Sequence, residues 1–563
     1  MRYSRRAKKQ HTSLAGKELR SHYVPARSGG ARRPMKRGDE KSDLKDWLAM
    51  VDRLRYAPQW ADEGPVPVEM TQTHISVVLL GRMRVLKLKK PVNFGFLDYT
   101  TLERRRLACE AEIRLNRRLC EQTYLKVQPI GQVDGSPQLS DSGEAIEYGV
   151  LMKRLPAERM LDEMVRQHSV TEADIERVAR RLDEFHRTAR RGPDIDRWGT
   201  WEEAGRNWDE NFAQTEPFVG RTIDAPAYRL LRDRVARWLG AHRAVFDERI
   251  RQGRVVDGHG DVRGESVCVT DGICIFDCIE FNDRFRCCDV ASEVAFLAMD
   301  LDSLGRPDLG YYFAERYQAH ASDAHLFRLL PFYRCYRAYV RGKVLSFRLG
   351  EPEFSAADKS RAAERAARYF ELARRYATPL PRPMVIAVMG LAGTGKTSMA
   401  RAIAGELGLR VVSTDAVRQE LFGHEKGATA YGQGAYRPEA NQRTYETLVE
   451  RGRRLLIEDG GVVLDGTLLR EDDRLRVQEM ASAAGATTRW IECELPAELV
   501  RQRLERRRQR REGLSDATWE TYLRQREEYM ASSRREEVGH LVVDMTQRLP
   551  DGARRATDWL REQ

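Results

Sequence analysis

Residues that could grip a phosphate chain lie together between Met384 and Ser398, in MVIAVMGLAGTGKTS. An apolar run reads there as a buried strand. Gly390, Gly393, Gly395, Lys396 and Thr397 follow in the pattern GxxxxGK(S/T), and SMARAIAGEL then reads as a helix. Glycines in such a turn let backbone N–H groups point inward at phosphate oxygens, and the helix N-terminus adds partial positive charge. The pattern assigns Gly390, Gly393, Thr394, Gly395, Lys396, Thr397 and Ser398 to a nucleotide, with Lys396 on the β- and γ-phosphates and Thr397 on magnesium.

Two later segments carry carboxylates at strand ends. LRVVSTDAVRQEL (Leu409–Leu421) reads as a strand leading to Asp415, with Arg418 one helical turn on. GVVLDGTLLR (Gly461–Arg470) reads as a second apolar strand ending at Asp465. In a parallel sheet such ends face the ligand crevice. Asp415 is placed to accept a proton from a substrate hydroxyl and Asp465 to hold the magnesium shell. Farther on, Arg501, Arg503, Arg506, Arg507, Arg508, Arg510 and Arg511 crowd one helix and its exit. A lid of arginines could offset transition-state charge, although one helix cannot aim all seven inward.

The elements that must position these groups set the domain plan. With 563 residues the chain is too long for one ordinary core. Residues 1–43 read as a basic, disordered tail, and 44–378 as a domain of strands first and helices after. PLPRP (Pro379–Pro383) reads as a stiff linker, and 384–563 as alternating strand and helix around a parallel sheet. HISVVLLGRMRVLKLKK (His74–Lys90) predicts a hairpin turning near Gly81, Thr101–Leu119 a helix, and YLKVQPI and YGVLMKRL further strands. Ser355–Tyr376, rich in Ala, Arg and Glu, predicts a helix before the linker.

Charged residues make up 32% and hydrophobic residues 41%, a balance that suits a soluble globular chain. No apolar run reaches the roughly 18 residues that span a membrane, and no apolar core follows the basic start as in a secretory signal. Nine cysteines follow no disulfide or metal spacing, so a reducing cytoplasm is the expected compartment. The net charge is +11, from 96 Lys+Arg against 85 Asp+Glu. Some of the excess sits in the tail, which leaves a nucleic-acid partner open.

The motifs GLAGTGKTS, STDAVRQEL and VLDGTLLR with the arginine-rich lid resemble the gluconate kinase, polynucleotide 5′-kinase and zeta-toxin group of P-loop kinases. In that group the Asp matching Asp415 activates the acceptor hydroxyl and the Arg matching Arg418 helps hold the substrate. The first domain carries VVDGHGDVRGES (Val255–Ser266), followed by GICIFDCIEFNDRFRCCD. With the hairpin, this resembles the aminoglycoside phosphotransferase-like branch of the protein-kinase fold. The resemblance implies a two-lobed α+β domain in which Asp261 is the catalytic-loop base and Asp277 a magnesium ligand. Asp289 would be a structural Asp. Lys87 would bind phosphate, although alternation puts Lys89 on the same face, and Glu112, rather than Glu110, would pair with that lysine. The position that usually carries the second metal-binding Asn holds Ser266, which implies weakened catalysis.

Both halves together resemble a bacterial two-domain family that joins such a kinase-like domain to a P-loop ATP-binding domain. The resemblance implies ATP and Mg2+ as cofactors, an α/β P-loop NTPase fold for the second domain, and two nucleotide sites. The expected function is an ATP-dependent phosphotransferase acting on a hydroxyl of a small polar metabolite. A nucleotide-operated regulatory ATPase and a nucleic-acid 5′-hydroxyl kinase are the rival readings. Acceptor and oligomeric state are not encoded legibly.

Overall fold

A computed structural model describes residues 37–64, 67–95, 97–141, 143–351, 354–381, 383–423, 436–510, 517–532 and 539–563. Most of the basic tail, residues 1–36, lies outside that set. The disorder expected over 1–43 needs correcting at its end, because a helix spans Arg37–Leu54. Trp47, Val51 and Leu54 bury one face of it against the first sheet, and the Trp47 indole donates to Glu147 at 2.5 Å.

That sheet opens the first domain. Its six strands are β1 (Glu69–Gln72), β2 (Ser76–Leu80), β3 (Arg84–Lys89), β4 (Tyr124–Val133), β5 (Ser136–Leu139) and β6 (Glu147–Lys153), ordered β1-β2-β3-β6-β4-β5 with every pair antiparallel. Between β3 and β4 runs the helix Leu102–Asn116, capped by Thr101, whose side chain accepts from the Arg104 amide. The second lobe is mostly helical. It holds two short ribbons, β7 (Val255–Asp257) with β10 (Cys287–Asp289), and β8 (Val267–Val269) with β9 (Ile273–Ile275). Asp289 is fixed by the buried Arg249 guanidinium, which also holds Asp323 at 2.6 Å. It caps the Val290–Ser303 helix by accepting from Ala291. Cys120 and Cys274 are joined by a disulfide between the two lobes. Their separation of 154 residues hides the pair from any spacing argument, so the sequence expectation of none is corrected here.

The second domain is a five-stranded, all-parallel sheet of β11 (Met384–Met389), β12 (Val411–Ser413), β13 (Gly461–Asp465), β14 (Thr487–Glu494) and β15 (His540–Asp544), ordered β12-β13-β11-β14-β15. β11 lies in the middle and all six of its residues are buried, as a strand covered by helices on both faces must be. The register sets Val388 and Ser413 both opposite Asp465. Three strands therefore end at one level.

Between the domains the chain is not merely linked. One apolar cluster runs from Phe313, Ala314 and Leu326 of the first domain through Ala400, Ile403 and Ala404 of the helix Lys396–Leu407 in the second. Small residues let backbones approach. Gly408 has φ 71° and a Cβ there would sit 2.2 Å from Pro331, so only glycine fits. Polar groups close the joint. Arg334, 1% exposed, donates to the Gly405 carbonyl at 2.6 Å, and the Val411 amide donates to the Tyr311 hydroxyl at 2.8 Å. Arg375 reaches Asp558 and Glu406, each at 2.8 Å, and Thr557 at 2.6 Å. The proline linker thus joins units that share a core. Calorimetry of the intact protein should show one cooperative unfolding transition. Arg375→Ala, which removes hydrogen bonds to Asp558, Glu406 and Thr557, should lower stability by on the order of 2 kcal/mol. Two well-separated transitions in the parent protein would mean that the halves melt independently.

Candidate functional site

The loop after β11 is built by backbone conformations that few side chains allow. Gly393 and Gly395 have φ of 79° and 99°. The Thr394 side chain, buried, donates to the Leu391 carbonyl at 2.8 Å and closes the turn from inside. The Ala392 amide donates to Gln525 at 2.8 Å, which ties the loop to the Trp519–Ser532 helix. Lys396 opens the following helix, with Thr397 and Ser398 in its first turn. The Thr397 hydroxyl donates to Asp465 at 2.8 Å. Burial pushes the Asp465 carboxyl above the usual range and neighbouring Asp415 adds to this, against the pull of Lys396. A buried carboxylate beside a hydroxyl is a hard-oxygen pair, the donor chemistry a magnesium ion takes.

Asp415 stands in the first turn of the helix Thr414–Phe422. It accepts from Arg418 at 3.0 Å, and Arg418 also reaches Asn441 at 3.1 Å and lies 4.4 Å from the Tyr436 ring centre. Lys396, Asp415 and Arg418 line one polar cavity of about 270 Å³. Of the seven arginines in the predicted lid, Arg503 is the one the structure brings to the loop. It donates to the Thr394 carbonyl at 3.2 Å and to the Met545 carbonyl at 3.0 Å. Arg501 pairs with Glu505 on the exposed surface, and the Arg510 side chain and all of Arg511 lie outside the described residues. Arg503 is thus the arginine of the expected lid that the described hydrogen bonds tie to the loop.

In the first domain a cavity of about 1600 Å³ opens between the lobes, with Lys87, Asp261 and Asp277 on its walls. Lys87, on β3, lies 2.9 Å from Glu112 and 2.5 Å from Asp277. Burial would lower its pKa, but Asp277 and Glu112 hold it well above the usual lysine value. Lys89 points the same way and is fully buried, paired with the other oxygen of Glu112 and with Glu280. Glu112 thus serves both lysines, whereas Glu110 faces out and pairs with Arg106. Asp277 follows the β8–β9 ribbon with φ 64°, a conformation uncommon outside glycine and often found at functional sites. The Lys87 ammonium holds its carboxyl well below the usual range.

The His259–Asp261 loop hangs from one buried carboxylate. Glu293 accepts from the backbone amides of His259 and Gly260 and, at 2.7 Å, pairs with His186, whose other nitrogen meets the Tyr317 hydroxyl at 2.7 Å. Burial alone would raise the Glu293 pKa, but these bonds hold it down at about 2. Glycine is needed at Gly260, where φ is 88° and a Cβ would lie 2.8 Å from the Phe285 carbonyl.

Asp261 itself is gripped by Arg263 through two bonds of 2.8 Å. Burial would raise its pKa, and the guanidinium overrides that, leaving the carboxyl below its ordinary value. Ser266 does not face the cavity as a metal ligand. Its hydroxyl accepts from the Arg263 amide at 3.0 Å and donates to the Arg263 carbonyl at 2.9 Å. The metal role expected of Ser266 is withdrawn, because the turn consumes its hydroxyl.

Sequence reasoning missed Arg263, Glu280 and the support given by Glu293. A lone carboxylate in the apolar stretch VASEVAFLAM could have flagged Glu293. Nothing in the pattern flags Arg263, since its role depends on a side-chain direction.

Comparisons with known proteins follow this division. A family model described as an AAA domain matches residues 385–530. A gluconokinase from Sinorhizobium meliloti 1021 is 20% identical, covers 33% of this chain and 94% of its own, and has a TM-score of 0.25. A choline/ethanolamine kinase family protein from Mesorhizobium loti is 11% identical, covers 59% of this chain and 99% of its own, and has a TM-score of 0.36. Uncharacterized proteins of Mycobacterium tuberculosis and Mycobacterium bovis are each 33% identical over 462 residues, 80% of this chain and 88% of theirs. The chain belongs to the family of these mycobacterial proteins; its two-lobed first domain is packed against the second domain, over which the AAA-domain model matches.

Proposed function

We propose that the protein is an ATP- and Mg2+-dependent phosphotransferase whose C-terminal site phosphorylates a hydroxyl of a small polar metabolite. The observation that carries this reading is the meeting of Lys396, Asp415 and Arg418 around one small polar cavity, with the Thr397–Asp465 pair beside them. Asp415 takes the proton of the acceptor hydroxyl as its oxygen bonds to the γ-phosphorus, and the bond to the β-phosphate oxygen breaks to release ADP. Lys396, the helix N-terminus and Arg503 offset charge on the transferring group. Thr397 and Asp465 would hold magnesium, which supplies neutralisation of the phosphate charge. Arg418, pinned by Asn441 and stacked on Tyr436, is positioned to fix the acceptor. A cavity of about 270 Å³ suits a metabolite better than a nucleic-acid end. Among the described residues no helix is long and apolar enough to cross a membrane.

The N-terminal cleft is read as a second nucleotide site held back from chemistry. Lys87, held in place by Glu112, would meet the phosphates and Asp277 a magnesium ion. Asp261, tied to Arg263, is a poor base while that pair persists. This pairing also favours a regulatory role for the cleft.

Lys396→Ala should cut ATP turnover about 100- to 1000-fold while leaving circular dichroism and melting temperature unchanged, because one transition-state contact is lost and no packing. Turnover within threefold of the parent would move the active site to Asp261. Asp415→Asn should keep ATP affinity and stop acceptor phosphorylation, read with a metabolite extract and labelled ATP. Loss of nucleotide binding would instead put Asp415 in the metal shell. Asp261→Asn should leave acceptor phosphorylation within about twofold of the parent, since the C-terminal base is untouched. A drop as large as that of Lys396→Ala would make the N-terminal site the main catalyst.

A further inference from the structure

The carboxylates on the inter-lobe cavity of the first domain are largely answered by cations. Asp261 is held by Arg263, Asp277 by Lys87, and Glu210 by Arg284 at 2.9 Å. The reverse is not true of the helix Leu326–Phe347, which forms part of the cavity wall in the helical lobe. Arg337 and Arg341 lie one turn apart on it, with Lys343 beside them, and all three line the cavity. Among the described residues none of the three has an ion-pair partner. Arg337 bonds neutral oxygens, the Gly260 carbonyl at 3.1 Å and the Ser292 hydroxyl at 3.1 Å, and lies 4.7 Å from the Phe296 ring centre. Arg341 has a buried Nε with no hydrogen-bond acceptor. Lys343 donates to the side-chain oxygens of Asn211 and Gln214, each at 2.7 Å. Trp208, which also lines the cavity, has a buried indole N–H with no acceptor.

Arg341 feels the charges of Asp261 and Asp300 without an ion pair to either, and a wall of donors with no carboxylate bonded to it is costly unless a ligand brings the missing acceptors. Arginine in particular matches the two-oxygen face of a carboxylate or phosphate. The wall belongs to the helical lobe, whereas Lys87 belongs to the strand lobe, so the two sets of cations answer different ligand groups. The loop of Asp261 lies between them, tied to the wall by the bond from Arg337 to Gly260.

We propose that this wall is a subsite for an anionic polyol, a phosphorylated or carboxylated sugar-like compound, whose anionic group seats between Arg337, Arg341 and Lys343. The hydroxyl-bearing character of the ligand rests on the reading of Asp261 as facing an acceptor hydroxyl. The anion preference stands without it. Burial with only amide partners brings the Lys343 pKa down to about 8. Glu210 opposes that fall and Arg284 adds to it; they are the charged groups that face Lys343. An anion placed there favours the protonated amine. Binding above pH 8 should therefore take up a proton and weaken as pH rises.

The test is titration calorimetry on the full-length protein with inorganic phosphate, glucose 6-phosphate, gluconate, glucose and glucosamine. At least one of the anions should bind tenfold or more tightly than glucose, and glucosamine should bind no better than glucose. Glucose 6-phosphate against gluconate separates the phosphorylated from the carboxylated class. Arg341→Ala and Lys343→Met, each checked for a parent-like melting temperature, should weaken the anion tenfold or more, and Lys343→Met should abolish proton uptake at pH 8.5. Lys87→Ala and Arg418→Ala should retain it. The proposal fails if no anion is preferred. It fails also if Arg418→Ala removes the binding and Arg341→Ala does not, which would put the anion in the C-terminal cavity. Loss with Lys87→Ala would assign the wall to nucleotide phosphates and overturn it too. None of these failures touches ATP turnover at Lys396, which is read separately.

Discussion

The helix Lys396–Leu407 has almost no face left for water. Its residues from Met399 to Gly405 are all buried. One side lies on the parallel sheet, another against the C-terminal helix Leu549–Glu562, and a third against Pro307–Ala321 of the other domain. This helix also begins at Lys396 of the glycine-rich loop. The orientation of its N-terminus is therefore set by packing across the whole molecule, and its partial positive charge is fixed in direction before any ligand arrives. The short residues Ala400, Ala404 and Gly405 are what make three-sided burial feasible, because each neighbour can approach the backbone.

Charge is handled differently in the two domains. Around the P-loop the carboxylates stay close to one another, Asp465 beside Asp415, and their mutual repulsion is tolerated because Lys396 lies near and a divalent cation fits. In the first domain the strategy is neutralisation by neighbours. Glu112 satisfies two lysines, Asp261 one arginine, and Asp289 and Asp323 share another. Such closed pairs rigidify a cleft and quiet its acids. The contrast separates a site of clustered carboxylates from a cleft whose acids are paired.

Much of this was legible because it is local. Gly390 to Thr397 specify a turn by their own conformational demands, and the strand ends at Ser413 and Asp465 follow from short apolar runs. Lys87 and Glu112 came from the resemblance of their segments to a known family, although the sharing of Glu112 with Lys89 did not. What stayed hidden depends on distance or on side-chain direction. The bond between Cys120 and Cys274 leaves no spacing signal. Ser266 occupies a metal-ligand position in the sequence and yet turns into the backbone. The start of the helix at Arg37 was masked by charged residues, since its apolar residues, Leu44, Trp47, Leu48, Met50, Val51 and Leu54, begin a full two turns in. The shared core between domains was hidden by the prolines, which mark a change of fold and not a loss of contact.

That shared core bears on the molecule's ancestry and on its fate under proteolysis. Peptide continuity through Pro379–Pro383 contributes little to holding the halves together, because Tyr311, Arg334 and Arg375 already do so through surfaces as dry as an interior. A nick at the linker would leave a stable heterodimer, with each fragment acting as the other's obligate subunit. Two genes encoding the halves could serve in place of one, provided both were translated in step, since either product alone would expose an apolar face to the chaperones.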